Sequence, residues 1–364
     1  MDRIEDIKRI LCKRKIIIKA KIAEGGFGTI YYGITNDKEV MIKIQIPNNK
    51  ESEKGIKGEC LLSKSLMSGY IIKTYSIHND KYNNTKIYSI VMEKSYYNDM
   101  KFFLDNLLKK NLLRLTNNTA QFSFIFYLNT LIITFFLSQI FEGLKILFES
   151  DYVHRDIKPE NILMAFYFRI KLCDFGLTKK ASNNFEVGSG TWNHQGPECY
   201  SDNNIIKDKN DSFKVDYFPI GLFLYYCFFR NHPINQNYKK TNDLEGLNNC
   251  IDKINKKIRE YQFDDNDIEE NEVKHFDYFN NNVVKRQKVK YIPKKIGLLT
   301  KKLLEKNISD RPNIYELLDE EEINKNKNTV KKIYNINKFS ETKVLIEMQK
   351  PVLKLKKRNK KFVI

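Results

Sequence analysis

Two aspartates on either side of a short strand pair constrain the fold of this chain more than any other feature. Asp156 lies in the stretch "HRDIKPENIL", and Asp174 begins the stretch "DFG", 18 residues later. Between them, the runs "ILMAF" and "RIKLC" predict two strands that pair with each other. Because such a pair returns the chain to where it started, we expect the two carboxylates to face one cleft.

The region before residue 95 predicts a small sheet with one helix. Strand-like segments occupy residues 15–46 and 86–94, and apolar residues alternate with polar ones along 40–44. Residues 53–67 predict the helix.

The stretch "IAEGGFGTIYYG", residues 22–33, resembles a glycine-rich phosphate loop in which Ala23 replaces the first glycine. Taken alone, it is better explained as a hairpin turn. A dinucleotide loop would need a helix to begin at its last glycine, Gly28. Strand-like "TIYYGI" follows instead, which excludes a dinucleotide site and leaves a turn or another nucleotide loop.

From residue 99 onward the pattern becomes helical. "DMKFFLDNLLKKNLL" is amphipathic, and helices are predicted at 131–149, 213–229 and 294–306. Pro219 must then lie near a helix start or at a kink. The run 115–141 carries no charge and is longer than the ~20 residues that span a membrane.

Composition limits the other classes of protein. The net charge of +18 comes mainly from residues 323–364, which hold 13 Lys or Arg and 2 Glu. The basic balance therefore says little about what the folded body binds. Six cysteines without a C-x-x-C pair indicate free thiols in a reducing compartment, and the charged N-terminus is a poor signal peptide.

Four separated motifs together indicate a family. They are the glycine loop followed by "VMIK", "HRDIKPENIL", "DFG" and "GTWNHQGPE". Their order and spacing resemble the eukaryotic protein kinases over about residues 15–320. The resemblance implies a two-lobed α+β fold, with a small antiparallel β lobe that carries one helix and a larger, mainly α lobe.

The resemblance also divides the chain. It implies an N-terminal extension at 1–14 and a kinase domain at 15–322, made of a small lobe at 15–94, a hinge at 95–97 and a large lobe at 98–322. Insertions are expected near 115–130 and 235–290, with "DDNDIEENE" (264–272) as a solvated loop, and 323–364 is expected to be a disordered basic tail. A membrane span at 115–141 would separate the two halves of one core. The part from 131 is therefore assigned to the buried helix, and 115–130 to an insertion or, alternatively, to translated non-coding sequence.

The catalytic roles follow from the resemblance. Transfer of a γ-phosphoryl group needs positioning and charge neutralisation more than covalent help. Asp156 would orient the substrate hydroxyl, and Lys158 would balance charge on the γ-phosphate. Lys43 would hold the α- and β-phosphates and pair with a helix glutamate, for which Glu59 is preferred over Glu53.

The nucleotide and metal residues are implied in the same way. Asn161 and Asp174 would supply hard oxygen ligands to Mg²⁺. The backbones of Glu93 and Ser95 would hydrogen-bond the adenine, with Met92 at its edge. The full set expected to contact Mg·ATP is Ile22, Ala23, Gly25, Gly26, Phe27, Gly28, Ile30, Lys43, Met92, Glu93, Ser95, Asn161 and Asp174.

Other matching positions are structural or regulatory. Asp216 and Gly221 match the helix that braces the catalytic loop, and Arg311 is expected to form a buried pair with Glu198. His154 is interpreted as a packing residue. Regulation is implied by Arg155 in "HRD", which in this family pairs with a phosphate on the activation segment. Val187 occupies the site where many such kinases carry threonine. Ser182 and Ser189 are candidate phosphorylation sites, and Glu186 would supply a standing negative charge.

The predicted function is Mg·ATP-dependent phosphorylation of Ser or Thr hydroxyls on protein substrates by a cytoplasmic monomer. Lys158 is typical of serine/threonine rather than tyrosine kinases. The alternative is a nucleotide-binding pseudokinase or scaffold, and a small-molecule kinase is a weaker third hypothesis. His194 and Gly196 replace the usual tyrosine and alanine, which leaves peptide specificity open. Neither a membrane span nor a specific nucleic acid is expected, while the tail run "KLKKRNKKF" has the charge to contact acidic lipid or an acidic partner.

Overall fold

The computed structural model describes most of the chain between residues 3 and 324. The described ranges are 3–26, 28–95, 99–105, 119–165, 169–200, 204–229, 232–234, 244–263, 292–321 and 323–324. The loop 264–272 and the tail beyond residue 324 lie outside them.

The small lobe is a five-stranded antiparallel sheet with strand order β1-β2-β3-β5-β4. Its strands are β1 (Ile16–Gly25), β2 (Gly28–Thr35), β3 (Lys38–Gln45), β4 (Thr74–Tyr82) and β5 (Thr85–Glu93). The sequence analysis assigned no strand to β4, which lies at the edge of the sheet and whose residues all keep some exposure to solvent. A strand that buries neither face shows weak apolar alternation, and pairing with β5 is what defines it.

An N-terminal helix completes the core of this lobe. Helix α1 (Arg3–Lys13) buries Ile7 and Leu11 against a cluster that contains Val40, Ile42 and Ile44 of β3. Arg14, just after the helix, makes a two-bonded contact with Asp80 of β4. The segment expected to be a mere extension therefore covers the face of the sheet that points away from the cleft.

Helix α2 (Lys50–Ser65) begins three residues before the predicted start. Asn49 caps it, because its side chain accepts a hydrogen bond from Ser52 N while the Ser52 hydroxyl accepts one from Asn49 N. The helix buries Glu59 on the side of β3 and the cleft.

The large lobe is mainly helical. Its helices are α3 (Met100–Phe103), α4 (Thr119–Glu149), α5 (Lys209–Phe213), α6 (Phe218–Phe229), α7 (Leu244–Tyr261), α8 (Lys294–Leu303) and α9 (Ile314–Asp319). Pro219 is the second residue of α6, where its missing N–H costs no hydrogen bond. Among the described residues, none of the helices is both long and apolar enough for a membrane crossing.

Helices α4 and α7 differ most from the sequence predictions. Helix α4 begins at Thr119 rather than at 131, so its backbone continues without a break into a segment expected to be an insertion. Helix α7 lies inside the polar stretch 235–290, where no helix was predicted. The residues that it buries are spaced four, three and four apart, which is a helical stripe that its many Asn and Lys residues obscured; they are Leu247, Ile251, Ile254 and Ile258.

The described part of the large lobe also contains four short two-stranded sheets. They are β6 (Tyr152–Val153) with β9 (Lys179–Lys180), β7 (Ile162–Met164) with β8 (Ile170–Leu172), β10 (Phe185–Glu186) with β11 (Ile205–Ile206), and β12 (Gln262–Phe263) with β13 (Ile292–Pro293). The β7–β8 pair is the predicted one, and it is antiparallel. One core cluster runs from α4 through Phe175 to Leu62 of α2 and Leu66 just after it, so the two lobes share apolar contacts.

Candidate active site

A cavity of about 750 Å³ lies between the sheet of the small lobe and the large lobe. The residues predicted to contact a nucleotide that line this cavity are Ile22, Ala23, Gly25, Gly28, Ile30, Lys43, Met92, Glu93, Ser95, Asn161 and Asp174. Gly26 lines a neighbouring cavity beside α1 and α2 instead, and Phe27 lies outside the described residues. Residues from four separate motifs thus converge on one cleft.

The glycine loop joins β1 to β2, with Ala23 opposite Ile30 and Gly25 opposite Gly28. Gly28 has φ +121°, and a Cβ placed on it would lie 2.5 Å from the carbonyl oxygen of Ile44. Only glycine fits there. Ala23 lies within β1 and is not among the residues with positive φ, so its methyl group imposes no backbone strain.

Lys43 connects the small lobe to the start of "DFG". Its Nζ lies 2.6 Å from Glu59 Oε1 and 2.8 Å from Asp174 Oδ1, and only 4% of the lysine is exposed. Burial lowers the pKa of Lys43, but the carboxylates of Glu59 and Asp174 outweigh it, so the net pKa lies above its usual value. The lysine is therefore charged at neutral pH.

The other candidate glutamate, Glu53, faces away from the cleft. It pairs with Lys57 and Lys86 and accepts a hydrogen bond from the Tyr88 hydroxyl. Sequence reasoning missed a further ligand of Glu59, the Gln45 amide, which donates to Glu59 Oε2 at 2.8 Å. The available signal was strand alternation, because Gln45 is two residues after Lys43 and must share its face of β3.

Asp156 is buried beside the cleft, behind Lys158, Asn161 and Thr191, which line it and hold the carboxylate. Lys158 Nζ lies 2.7 Å from its Oδ2, and Asn161 Nδ2 donates to the same oxygen at 2.9 Å. Thr191 donates to Oδ1 through both its backbone N–H and its hydroxyl, at 3.0 and 2.7 Å. Burial raises the pKa of Asp156, but the hydrogen bonds from Lys158 and Thr191 outweigh it and hold the pKa below its usual value.

Thr191 also accepts a hydrogen bond from Lys158 Nζ at 2.8 Å, so it bridges the two residues. Sequence reasoning did not assign it a role. Its position directly after Gly190 in the quoted motif "GTWNHQGPE" was the signal that could have found it.

Asn161 and Asp174 lie at the same end of the β7–β8 pair, just before β7 and just after β8. The Asn161 amide nitrogen donates to the carbonyl and the carboxylate of Asp156, which directs its oxygen to the opposite side. Cys173 N donates to the Asn161 carbonyl at 3.1 Å and holds Asp174 beside it, with φ +65° at Asp174. An amide oxygen and a carboxylate at one point of the cleft form a donor set suited to a hard divalent cation.

Other residues hold this arrangement in place. Asp216 accepts hydrogen bonds from the backbone N–H groups of His154 and Arg155, both at 2.7 Å. The His154 ring packs against Phe175 and has its Nε2 3.0 Å from the Cys173 carbonyl oxygen. Its position is that of a packing residue between the two aspartate-bearing loops.

Hydrogen bonds hold the chain at Glu93 and Ser95, where it leaves the small lobe. Glu93 accepts hydrogen bonds from Lys171 Nζ at 2.6 Å and from the backbone N–H of Lys73 at 2.7 Å. The hydroxyl of Ser95 donates to the carbonyl of Met164 at 2.6 Å. The Lys171 and Ser95 contacts tie the end of the small lobe to the β7–β8 pair.

Side-chain contacts hold the segment from Asp174 to Glu198. Arg155 Nη2 donates to the Ser189 hydroxyl at 2.6 Å, while Glu186 pairs with Lys179 at 2.8 Å. Val187 is buried in a cluster with Phe185 and Phe213, and Ser182 is exposed.

Comparison with known proteins agrees with this geometry. The family profile described as "Protein kinase domain" matches residues 16–322. A probable serine/threonine-protein kinase of Saccharomyces cerevisiae is 28% identical over 223 residues, 57% of each chain. A putative serine/threonine-protein kinase of Acanthamoeba polyphaga mimivirus is 27% identical over 250 residues, which cover 63% of this chain and 52% of that protein.

The aligned segment thus spans about half the length of these two relatives. The profile covers most of this chain, from the first strand of the sheet to the end of the described helices, and includes all the cleft residues. The chain belongs to the protein kinase domain family.

Proposed function

We propose that this protein is a serine/threonine kinase that transfers the γ-phosphoryl group of Mg·ATP to protein hydroxyls. The observation that carries the proposal is the pairing of Asp156 with Lys158 and Thr191, which line the cleft together with Lys43, Glu59 and Asp174. The names of the relatives support serine and threonine as acceptors.

The cleft is suited to the nucleotide. Its volume of about 750 Å³ lies within the range of small-molecule sites. Met92, Glu93 and Ser95 line this cavity, and so do Ala23, Gly25 and Gly28 of the glycine loop. Adenine would lie against the hinge, and the phosphates would lie between Gly28 and Lys43.

The residues of this chain would orient the reacting groups and neutralise their charge rather than form covalent bonds with them. Asp156, a carboxylate at neutral pH, would accept the hydrogen bond of the incoming hydroxyl and take its proton late in the transfer. Lys158 and Lys43 would offset charge on the phosphates. Asn161 and Asp174 would hold Mg²⁺, which supplies charge neutralisation between the phosphates when it is bound.

Transfer by the purified protein tests the proposal. We expect wild-type protein with Mg·ATP and a generic basic protein to form phosphoserine or phosphothreonine. Asp156→Asn should abolish transfer and leave the melting temperature within a few degrees. Wild-type protein that binds ATP but transfers no phosphate would instead support the pseudokinase alternative.

Location and partners rest on the sequence. A cytoplasmic location and a monomeric state stay predictions. Contact of the basic tail with acidic lipid or an acidic partner also stays a prediction, since residues 325–364 lie outside the described ranges.

A further inference from the structure

Gln45 lies beside the cleft, at a position to which the proposed reaction gives no role. Strand alternation places Met41, Lys43 and Gln45 on one side of β3, where Met41 and Lys43 line the cleft and Gln45 lines the neighbouring cavity, while Val40, Ile42 and Ile44 face the core under α1. Only 4% of Gln45 is exposed, although a buried carboxamide is costly unless its groups are hydrogen-bonded.

The Gln45 amide completes the fixation of Glu59. Its Nε2 donates to Glu59 Oε2 at 2.8 Å, and Lys43 Nζ lies 2.6 Å from Oε1. Two donors two residues apart on β3 thus hold the two oxygens of one carboxylate on α2. A carboxylate held at both oxygens has one orientation instead of several.

Lys43 by itself is a poor clamp for Glu59, because other groups compete for its ammonium. It already pairs with Asp174 at 2.8 Å. In the proposed reaction it must also reach the phosphates of ATP. The Gln45 amide is neutral, so a phosphate attracts it far less than it attracts the ammonium.

Gln45 also lies under the glycine loop. A Cβ placed on Gly28 would come within 2.9 Å of Gln45 Cγ. The Gln45 stem therefore contacts the strand that returns from the phosphate loop, and its amide contacts α2. One side chain links the two elements that must be correctly placed around the phosphates.

We propose that Gln45 is a positioning residue that keeps Glu59, and with it α2, in place while Lys43 engages the phosphates of ATP. This inference rests on the proposed kinase function. Gln45 does not contact the reacting atoms in this proposal and acts through the Lys43–Glu59 pair.

Two substitutions and a matched control test it. Gln45→Met keeps the length of the side chain and removes the donor. Gln139→Met is the control, because Gln139 is a buried carboxamide in α4 that accepts a hydrogen bond from Ile170 N at 3.0 Å. We expect kcat/KM for Mg·ATP to fall about tenfold in Gln45→Met, because the variant loses a hydrogen bond to a charged group. In Gln139→Met, kcat/KM should stay within twofold of the wild-type value.

Gln45→Glu supplies a readout that a merely structural role would not change. The introduced carboxyl would lie beside Glu59 of α2, which the amide contacts in the wild-type protein, and two residues from Lys43 on β3. Two carboxyls at one site raise the pKa of one of them, and the protonated form can donate to its neighbour as the amide does. We therefore expect the activity of Gln45→Glu, relative to wild type, to rise as the pH falls from about 8 to 6.

The possible results separate this proposal from the proposed function. Active wild-type protein with unchanged kcat/KM in Gln45→Met, or a pH-independent ratio for Gln45→Glu, would overturn the role of Gln45 alone. If wild-type protein transfers no phosphate, hydrogen exchange in α2 decides the question. Faster exchange of residues 56–62 in Gln45→Met than in Gln139→Met supports the clamp, and equal exchange rates refute it.

Discussion

Arg311 and Glu198 form a two-bonded ion pair inside the large lobe. Nη1 of the arginine lies 2.9 Å from Oε1, Nη2 lies 2.7 Å from Oε2, and the arginine side chain is fully buried. Arg311 also donates to the carbonyls of Glu305 and Lys214. The pair fastens the end of the "GTWNHQGPE" segment to the residues just before α9.

Breaking this pair should be costly because it leaves one charge buried alone. We expect Arg311→Met to lower the free energy of unfolding by about 3–5 kcal/mol, measured by urea denaturation. The control is Lys306→Met, which removes an exposed pair with Asp252 and should cost no more than about 1 kcal/mol. Equal losses in the two variants would contradict the importance of burial.

The N-terminal helix should contribute to the stability of the small lobe. Leu11 is 1% exposed in the core cluster, so Leu11→Ala should destabilise the protein by about 2–5 kcal/mol in urea denaturation. Ile17→Ala is the control, since Ile17 is 47% exposed on the adjacent strand. A negligible effect of Leu11→Ala would mean that α1 is not part of the cooperative fold.

The two ends of the glycine loop should differ in their sensitivity to substitution. Ala23→Gly should change the KM for ATP by less than about fivefold, because Ala23 is an unstrained strand residue and the backbone effect is about 1 kcal/mol or less. Gly28→Ala should raise KM far more, since its Cβ would collide with the Ile44 carbonyl and its φ is positive. A large gain in affinity in Ala23→Gly would indicate a strained loop.

Stability should fall in mild acid through His194. Burial and the neighbouring His232 lower the pKa of His194 from 6.5 to about 4. Above pH 6.5 the His194 imidazole is neutral in both the folded and the unfolded protein. Between pH 6.5 and 4 it is protonated in the unfolded protein but stays neutral in the folded one. We expect His194→Phe to reduce the loss of unfolding free energy between pH 7 and 4 by about 2–3 kcal/mol. An unchanged loss would place the acid sensitivity elsewhere.

Activity should not depend wholly on phosphorylation. Val187 anchors the activation segment through apolar contacts, and Glu186 already pairs with Lys179. Phosphatase-treated protein, with removal verified by mass spectrometry, is expected to keep part of its activity. Complete loss would show that a phosphate, with Ser189 beside Arg155 as the first candidate, is required.

The helices and strands were predictable where one face is buried and the periodicity is clear. Strands β1, β2, β3 and β5 and the β7–β8 pair were predicted for that reason, as were α2, α6 and α8. Edge strand β4 and helix α7 were not, because exposed or polar residues weaken the periodic signal that packing later makes decisive. The start of α4 was placed too late, since an apolar run shows no polar stripe from which to read a boundary.

The sequence by itself determined the residue chemistry of the cleft. The order and spacing of the motifs predicted that Lys43, Asp156 and Asp174 would meet, and the identity of each side chain sets its charge. Tertiary structure alone decided which neutral residues hold these charges. Gln45 reaches Glu59 across 14 positions and Thr191 reaches Asp156 across 35, and a hydrogen bond depends on distance and angle in space rather than on separation along the chain.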